Sequence, residues 1–439
     1  MRLRWGAFCV LLALVCEWGR PSPAENWPCW RGPRGDGTSR ETGLPVRWSS
    51  TENIAWKRAI PYRGHASAIV WDDFVFLVGA DEPRKNRMLV ALDRRTGRTV
   101  WERVVLYAPL ETINRLNSYA SSTPATDGER IYVTFLEVEE RTVPAPNVSR
   151  SRPVTPGRMV VAAYDFQGRR LWRVRPGPFV SVHGFCSSPV LFEDLVIVNG
   201  DHDGDSYIVA LDRRTGRTVW KTPRKNRTRS YCTPLIRRIG GRFQMMLSGD
   251  RSVCSYDPRD GSLIWFLEGP TEQFVASLVC ARGLVLVTGG FPERHMLAID
   301  PSGRGNITGS PFIKWHHQRA SLVAYVPSPI AVDGYFYCIS DRGFGACYEA
   351  TTGQIQWQAR MGRRFSASLV AANGLIYCLD DDGVCKVIRA APKFEVVAEN
   401  RLGEPTYASI AISQGQLFVR TVENLYCIGV RRSEQAASD

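Results

Sequence analysis

The chain has 439 residues, 44% of them hydrophobic, which is enough for a large globular body and by length alone suggests two or three domains. Its formal charge is +13, most of it from arginine. Its twelve cysteines form no C-x-x-C pair and no His/Cys cluster at zinc spacing, which excludes a structural zinc module.

Arg2 and Arg4 precede an apolar run at residues 6–16 that is too short to cross a bilayer comfortably. Ser22-Pro23-Ala24 then offers small residues for cleavage before Glu25. The expectation is a signal peptide at residues 1–24 and an exported protein, periplasmic or secreted. Cys16 is the alternative site for a lipid anchor, but Ala13-Leu14-Val15 lacks the small residue usual before such a cysteine. Cleavage removes three arginines and one glutamate and leaves a net charge of +11. No later apolar run is long enough for a membrane helix. Ten cysteines remain, inside strand-like runs, and read as small buried residues; disulfides at Cys338/Cys347 and Cys378/Cys385 stay open.

Residues 27–39 (WPCWRGPRGDGTS) are rich in Gly and Pro and read as an irregular arm, with Trp27, Trp30 and Trp48 as apolar anchors. Residues 53–60 resemble the last strand of a repeat with no repeat before it. The string ALDRRTGRTVW then appears at residues 91–101 and again, letter for letter, at 210–220. Looser copies end at Trp172, Trp265, Trp315 and Trp357. The pattern is a hairpin: apolar residues end one strand, Asp and a Thr-Gly or Asp-Gly pair turn the chain, and the next strand carries the Trp. Gly97, Gly216, Gly261 and Gly353 share the offset where a turn needs positive φ.

Trp56, Trp101, Trp172, Trp220, Trp265, Trp315 and Trp357 are separated by 45, 71, 48, 45, 50 and 42 residues. A period in the forties built of strands and turns means four-stranded propeller blades. Eight short strands open on Ser67, Thr123, Ser188, Thr233, Ser277, Ser328, Ser368 and Ser409. The seventh unit has Val397 near where the Trp belongs, and the eighth stops after three strands. The leftover strand at residues 53–60 supplies the fourth and closes the ring. The expected fold is all-β: an eight-bladed propeller of four-stranded antiparallel blades over residues 53–429, after an arm at 25–52 and before a frayed tail at 430–439. The long gap holds insertions, with a short helix expected at residues 107–118 and a Pro/Ser-rich loop at 142–157.

The motif A-x-D-x-x-T-G-x-x-x-W, as at residues 91–101 and 210–220, resembles that of the quinoprotein-like (PQQ-like) eight-bladed propellers, in which the Trp docks each blade against its neighbour. The arm resembles the leader of exported quinoprotein-like propellers of planctomycete-type bacteria. The family divides into quinone-dependent alcohol and sugar dehydrogenases and non-enzymatic members, among them BamB-type proteins that help assemble outer-membrane β-barrels. Its dehydrogenases hold pyrroloquinoline quinone between a Trp and a disulfide of adjacent cysteines, beside a Ca²⁺ bound by Glu, Asn and Asp. This chain has no Cys-Cys pair, no C-x-x-C-H motif and no evident floor Trp, so the cofactor with its calcium is disfavoured.

Just upstream of the eight Ser/Thr positions stand His65, Tyr119, His183 with Phe185, Tyr231, Phe274, Tyr325, Phe365 and Tyr407. A ring of such groups at one mouth holds a flat ligand or a peptide; a feature of nearly every repeat also serves to seal the necks between blades. His65 and His183 depart from the aromatic norm and are the better functional candidates. Asp201-His-Asp-Gly-Asp205 spaces carboxylates like a calcium loop but lacks the distal Glu, and reads as a solvated turn. His316-His317 has no third ligand at a recognisable distance. Arginine pairs at 94–95, 169–170, 213–214, 237–238 and 363–364 suggest a basic band on one face. The expected role is that of a monomeric, non-catalytic scaffold of the envelope, binding proteins or an acidic polymer or lipid surface and not nucleic acid. A quinone-dependent dehydrogenase is the alternative.

Overall fold

The computed structural model describes residues 24–318 and 321–430; residues 1–23, which hold nearly all of the expected signal peptide and Cys16, and the tail from residue 431 lie outside it. The described residues form eight blades of four antiparallel strands, two of them extended by a short parallel strand (Thr38–Ser39 on blade 7 and Gly305–Asn306 on blade 4), with one separate two-stranded hairpin and no helix. Blade 1 is typical: Ile69–Trp71, Phe74–Asp81, Asn86–Asp93 and Thr99–Tyr107 run from the axis outward. In blade 8 the strands Ala411–Ser413, Gln416–Arg420 and Asn424–Ile428 are joined by Ile54–Ala59, which pairs antiparallel with Asn424–Ile428. Each sheet is buried on both faces against its neighbours, so the second and third strands are nearly uninterrupted apolar runs.

The repeated motif works between blades as well as within one. In its turn, Asp212 Oδ1 accepts the Thr215 amide (2.8 Å) and hydroxyl (2.7 Å), and Gly216 sits at φ 74°. The Trp on the following strand then reaches into the turn of the next blade. Trp56, Trp101, Trp172, Trp220, Trp265, Trp315 and Trp357 each donate the indole N–H to a backbone carbonyl there, at 2.7–3.1 Å. The turn glycine is the counterpart of the indole. A Cβ on Gly97, Gly168, Gly216, Gly261 or Gly353 would lie 2.5–2.9 Å from a ring atom of the preceding blade's Trp.

Blade 7 lacks this Trp, and the residue in its register position is Ala398, not Val397. Trp48 of the arm fills the gap. It stacks on Tyr377 at 6.4 Å, much as Trp357 sits on Tyr337 at 6.1 Å in blade 6. The next turn is where the chain ends meet, and the buried Trp48 indole N–H has no acceptor.

At the axis, the opening residues of the blades are linked by hydrogen bonds. The amide of Ser67 donates to the Thr123 hydroxyl, Thr123 to Ser188, and Ser188 to Thr233, at 3.0–3.1 Å. The series resumes from Ser277 to Ser328, Ser368 and Ser409, and the Ser409 amide donates to Ser67 Oγ at 3.0 Å. At the seam between blades 4 and 5, the Ser277 hydroxyl instead accepts the indole N–H of Trp30 (3.3 Å).

The arm crosses one end of the axis. Trp27 bridges to Val70 in blade 1, Thr38–Ser39 pairs parallel with Ala371–Ala372 in blade 7, and the Glu41 carboxylate accepts the Gln414 and Gly415 amides in blade 8. Two expectations are corrected. Residues 108–118 are irregular, because a buried ion pair between Glu111 and Arg87 ties them to blade 1 and a Thr112–Thr155 hydrogen bond to the insertion of blade 2. Residues 142–157 contain a small hairpin, Val143–Pro144 with Pro153–Val154, whose Ala145 and Val154 bury against Val182. The ten described cysteines are all free thiols. Cys338 pairs with Ala346 while Cys347 faces Tyr337, so the pleat puts the two thiols on opposite faces; Cys378 and Cys385 are likewise separated.

Gly216→Ala should destabilise the protein by about 1–3 kcal/mol, combining left-handed strain with overlap on Trp172. Gly240→Ala, at φ 56° with open space around it, should incur the backbone part alone. Urea unfolding of both variants tests this; equal losses would show that the Trp does not need the glycine.

Candidate functional site

The arm turns the axial channel into a cup. Trp30 reaches the Ser/Thr layer from one end, and above it a cavity of about 870 Å³ opens toward the other mouth. The absence of a floor Trp inferred from sequence is therefore corrected: the arm supplies one. Ser188, Thr233, Ser277 and Ser409 line the wall. Of the upstream residues, His65, His183, Tyr231, Tyr325, Phe365 and Tyr407 line the cup. Tyr119 takes the Arg87 guanidinium over its ring at 5.4 Å. Phe274 is fully buried between blades, and Phe185 packs edge-on against Phe179 at 5.3 Å. The ring thus divides into groups that seal necks and groups that face the cup.

Sequence reading missed the other half of the lining. Asn114, Asn117 and residues 148–152 come from the two insertions around blade 2, whose hairpin leans over the mouth. Its anchor is Asn147, whose amide donates to the carbonyls of Asp203 (3.0 Å) and Arg227 (3.2 Å). Gln273, Arg229, Phe291, Asp341 and Arg364 complete the wall. Phe291 is 54% exposed.

Most polar groups here are already engaged. Asp341 accepts the Tyr325 and Val326 amides (2.9 and 3.1 Å) and pairs with Arg294. Arg229 is buried and pairs with Asp203 at 2.6 Å. His183 Nε2 lies 3.2 Å from the Arg152 guanidinium, a contact that requires a neutral, accepting imidazole. Burial first, then the positive charges of Arg229 and Arg152, push His183 down to about 4. His65 packs at a tilt against Tyr407, ring centroids 4.6 Å apart, and burial with nearby Arg420 likewise lowers it to about 4.

Asp201 and Asp203 are not in a solvated turn. Both side chains are fully buried and paired, Asp201 with Arg224 (2.8 Å) and Asp203 with Arg229, because the segment after blade 3 folds back over this loop. Burial pushes the Asp201 carboxyl up to about 6, which leaves it ionised beside Arg224 at neutral pH. The expected basic band is broken up too. Arg94 is buried against Asp72 O and Gln416, while Arg169, Arg213 and Arg237 pair with Asp165, Asp194 and Asp36. His316 Nε2 meets His295 Nδ1 at 2.8 Å, and His317 Nε2 meets the Gly353 carbonyl. No three His, Cys, Asp or Glu side chains converge as a metal site among the described residues.

A family model described as outer membrane protein assembly factor BamB matches residues 124–310. No curated protein matches the chain. Among solved structures, BamB from Moraxella catarrhalis is 13% identical, covering 84% of this chain and 98% of its own, with a TM-score of 0.58. A europium-containing methanol dehydrogenase is 10% identical over 92% of this chain and 98% of its own, at a TM-score of 0.63. The quinohemoprotein alcohol dehydrogenase from Comamonas testosteroni is 12% identical over 94% and 82%, at 0.62. The resemblance to quinoprotein-like propellers is borne out in fold, and the fold is shared by an assembly factor and by dehydrogenases alike.

The two cup histidines give a pH dependence. Both stay neutral in the folded protein down to about pH 4, while the unfolded chain binds their protons near 6.5, so stability falls as pH drops through that window. His65→Asn removes one of these titrations. Its stability relative to wild type should improve by on the order of 2 kcal/mol between pH 7.5 and 4.5 in denaturant unfolding. A constant gap would contradict the buried neutral state.

Proposed function

We propose that the chain is a non-catalytic binding propeller of the cell envelope, a scaffold of the BamB type that holds its partner at the mouth of the axial cup. The observation that carries this reading is the state of the cup's reactive groups. Its carboxylate, its buried arginine and His183 are held by structural hydrogen bonds, leaving aromatic faces, amides and guanidinium groups turned inward. Such a surface recognises; it has no poised base or nucleophile.

The same residues bear on the dehydrogenase alternative. Trp30 offers a face for a flat ring, but a calcium ion beside it needs several convergent oxygens. Asp341 is the one carboxylate that lines the cup among the described residues, and both its oxygens are already engaged. The chain also has no pair of adjacent cysteines. The residues present do not fit a quinone–calcium centre.

Two measurements check the proposal. Thermal unfolding with pyrroloquinoline quinone and Ca²⁺ should show no shift, whereas a ligand at a hundred times its dissociation constant stabilises by about 2.7 kcal/mol. A clear rise would restore the dehydrogenase. In cells, a photo-crosslinking residue at Phe291 should form adducts with an envelope protein, and one at Val219, exposed on an outer strand, should not. Equal labelling from both positions would remove the mouth as the binding face.

A further inference from the structure

We propose that the mouth recognises an acidic peptide segment of its partner, a reading that rests on the binding role above. A second cavity of about 480 Å³ adjoins the cup, sharing Asp341 and Arg364 with it, and is otherwise lined by Arg294, Arg342 and Arg363. Of these, Arg363 and Arg364 pair with Asp382 and Asp381, and Arg294 with Asp341. Arg342 has no carboxylate within ion-pair distance among the described residues. Neither have Arg150 and Arg152 on the inserted hairpin; Arg152 leans on a neutral histidine instead.

The unpaired charges are placed across the mouth from one another. Arg150 and Arg152 come from the insertion in blade 2, and Arg342 from the loop between the second and third strands of blade 6, four blades away in a ring of eight. A single small anion cannot meet both sides. An extended chain with spaced carboxylates can, its apolar residues lying on exposed Phe291 and the cup aromatics. A flat membrane would not enter this recess, and charge complementarity then sets partner choice.

The test is fluorescence anisotropy of fluorescein-labelled octaglutamate titrated with the purified protein. Binding should be seen at low salt, weaken as salt rises, and be missing for octaglutamine. R150A/R152A and R342A should each weaken it by roughly fivefold or more, with an unchanged unfolding midpoint, while R214A/R217A on exposed outer turns should not. Octaglutamate binding no tighter than octaglutamine would overturn the proposal. So would equal losses in all variants, or capture by the same arginines of heparin or phosphatidylglycerol vesicles in place of octaglutamate. The Phe291 crosslink separates the two levels: if its adduct survives R150A/R152A and R342A unchanged, the acidic class fails while the mouth remains the binding face.

Discussion

Eight sheets must meet at a narrow axis, and the structure depends on how their first backbone amides are satisfied there. Buried N–H groups need acceptors, and so close to the axis only a short side chain fits between neighbouring backbones. A Ser or Thr hydroxyl at the start of each blade provides that acceptor to the blade before it, and the last amide returns to Ser67. The outer diameter is set separately, by each Trp and the glycine turn that receives it. The inner links fix orientation and the outer ones fix spacing, so small changes at either radius are felt around the whole ring.

The one interrupted inner link matters for the site. At the seam between blades 4 and 5 the acceptor is given to Trp30, which anchors the arm and brings a large aromatic side chain into the lining of the axial cavity. A pore thereby becomes a cup with a single entrance. Much of what departs from the repeat gathers at that entrance: the irregular segment before blade 2, its inserted hairpin, and the loops of blades 5 to 7. A rigid repeat displays a set of irregular loops, which is the usual division of labour between scaffold and recognition.

The ring was legible because its parts repeat. The Trp spacing reports the period, the turn glycines mark the hairpins and the eight opening Ser/Thr residues report the blade count, while the leftover strand at the start matched the shortage at the end. The cup was only half legible. His65 and His183 stood out against an aromatic background, but Trp30 lies in a segment with no period, so nothing in the sequence says where it docks. The arginines at 150 and 152 had a usable signal. An insertion between the second and third strands of a blade must emerge on the same face as the loops that precede the Ser/Thr residues. The buried pairs of Asp201 and Asp203 were hidden for another reason: their partners sit more than twenty residues on, where only folding brings Arg224 and Arg229 back.

The blade shared between the two ends of the chain also orders events in time. Blades 1 to 6 are built from contiguous sequence and can assemble as each hairpin becomes available. Blade 8 cannot form until residues 54–59 meet residues 424–428, the most distant strand pairing in the molecule. The arm, which needs blades 1, 7 and 8 together, must dock last although it is synthesised first. Long-range closure of this kind slows folding and leaves an unfinished ring with a sticky edge at each end. A chain that leaves its compartment of synthesis from the amino end would therefore carry its plug outside, unplaced, until the final strand had followed it.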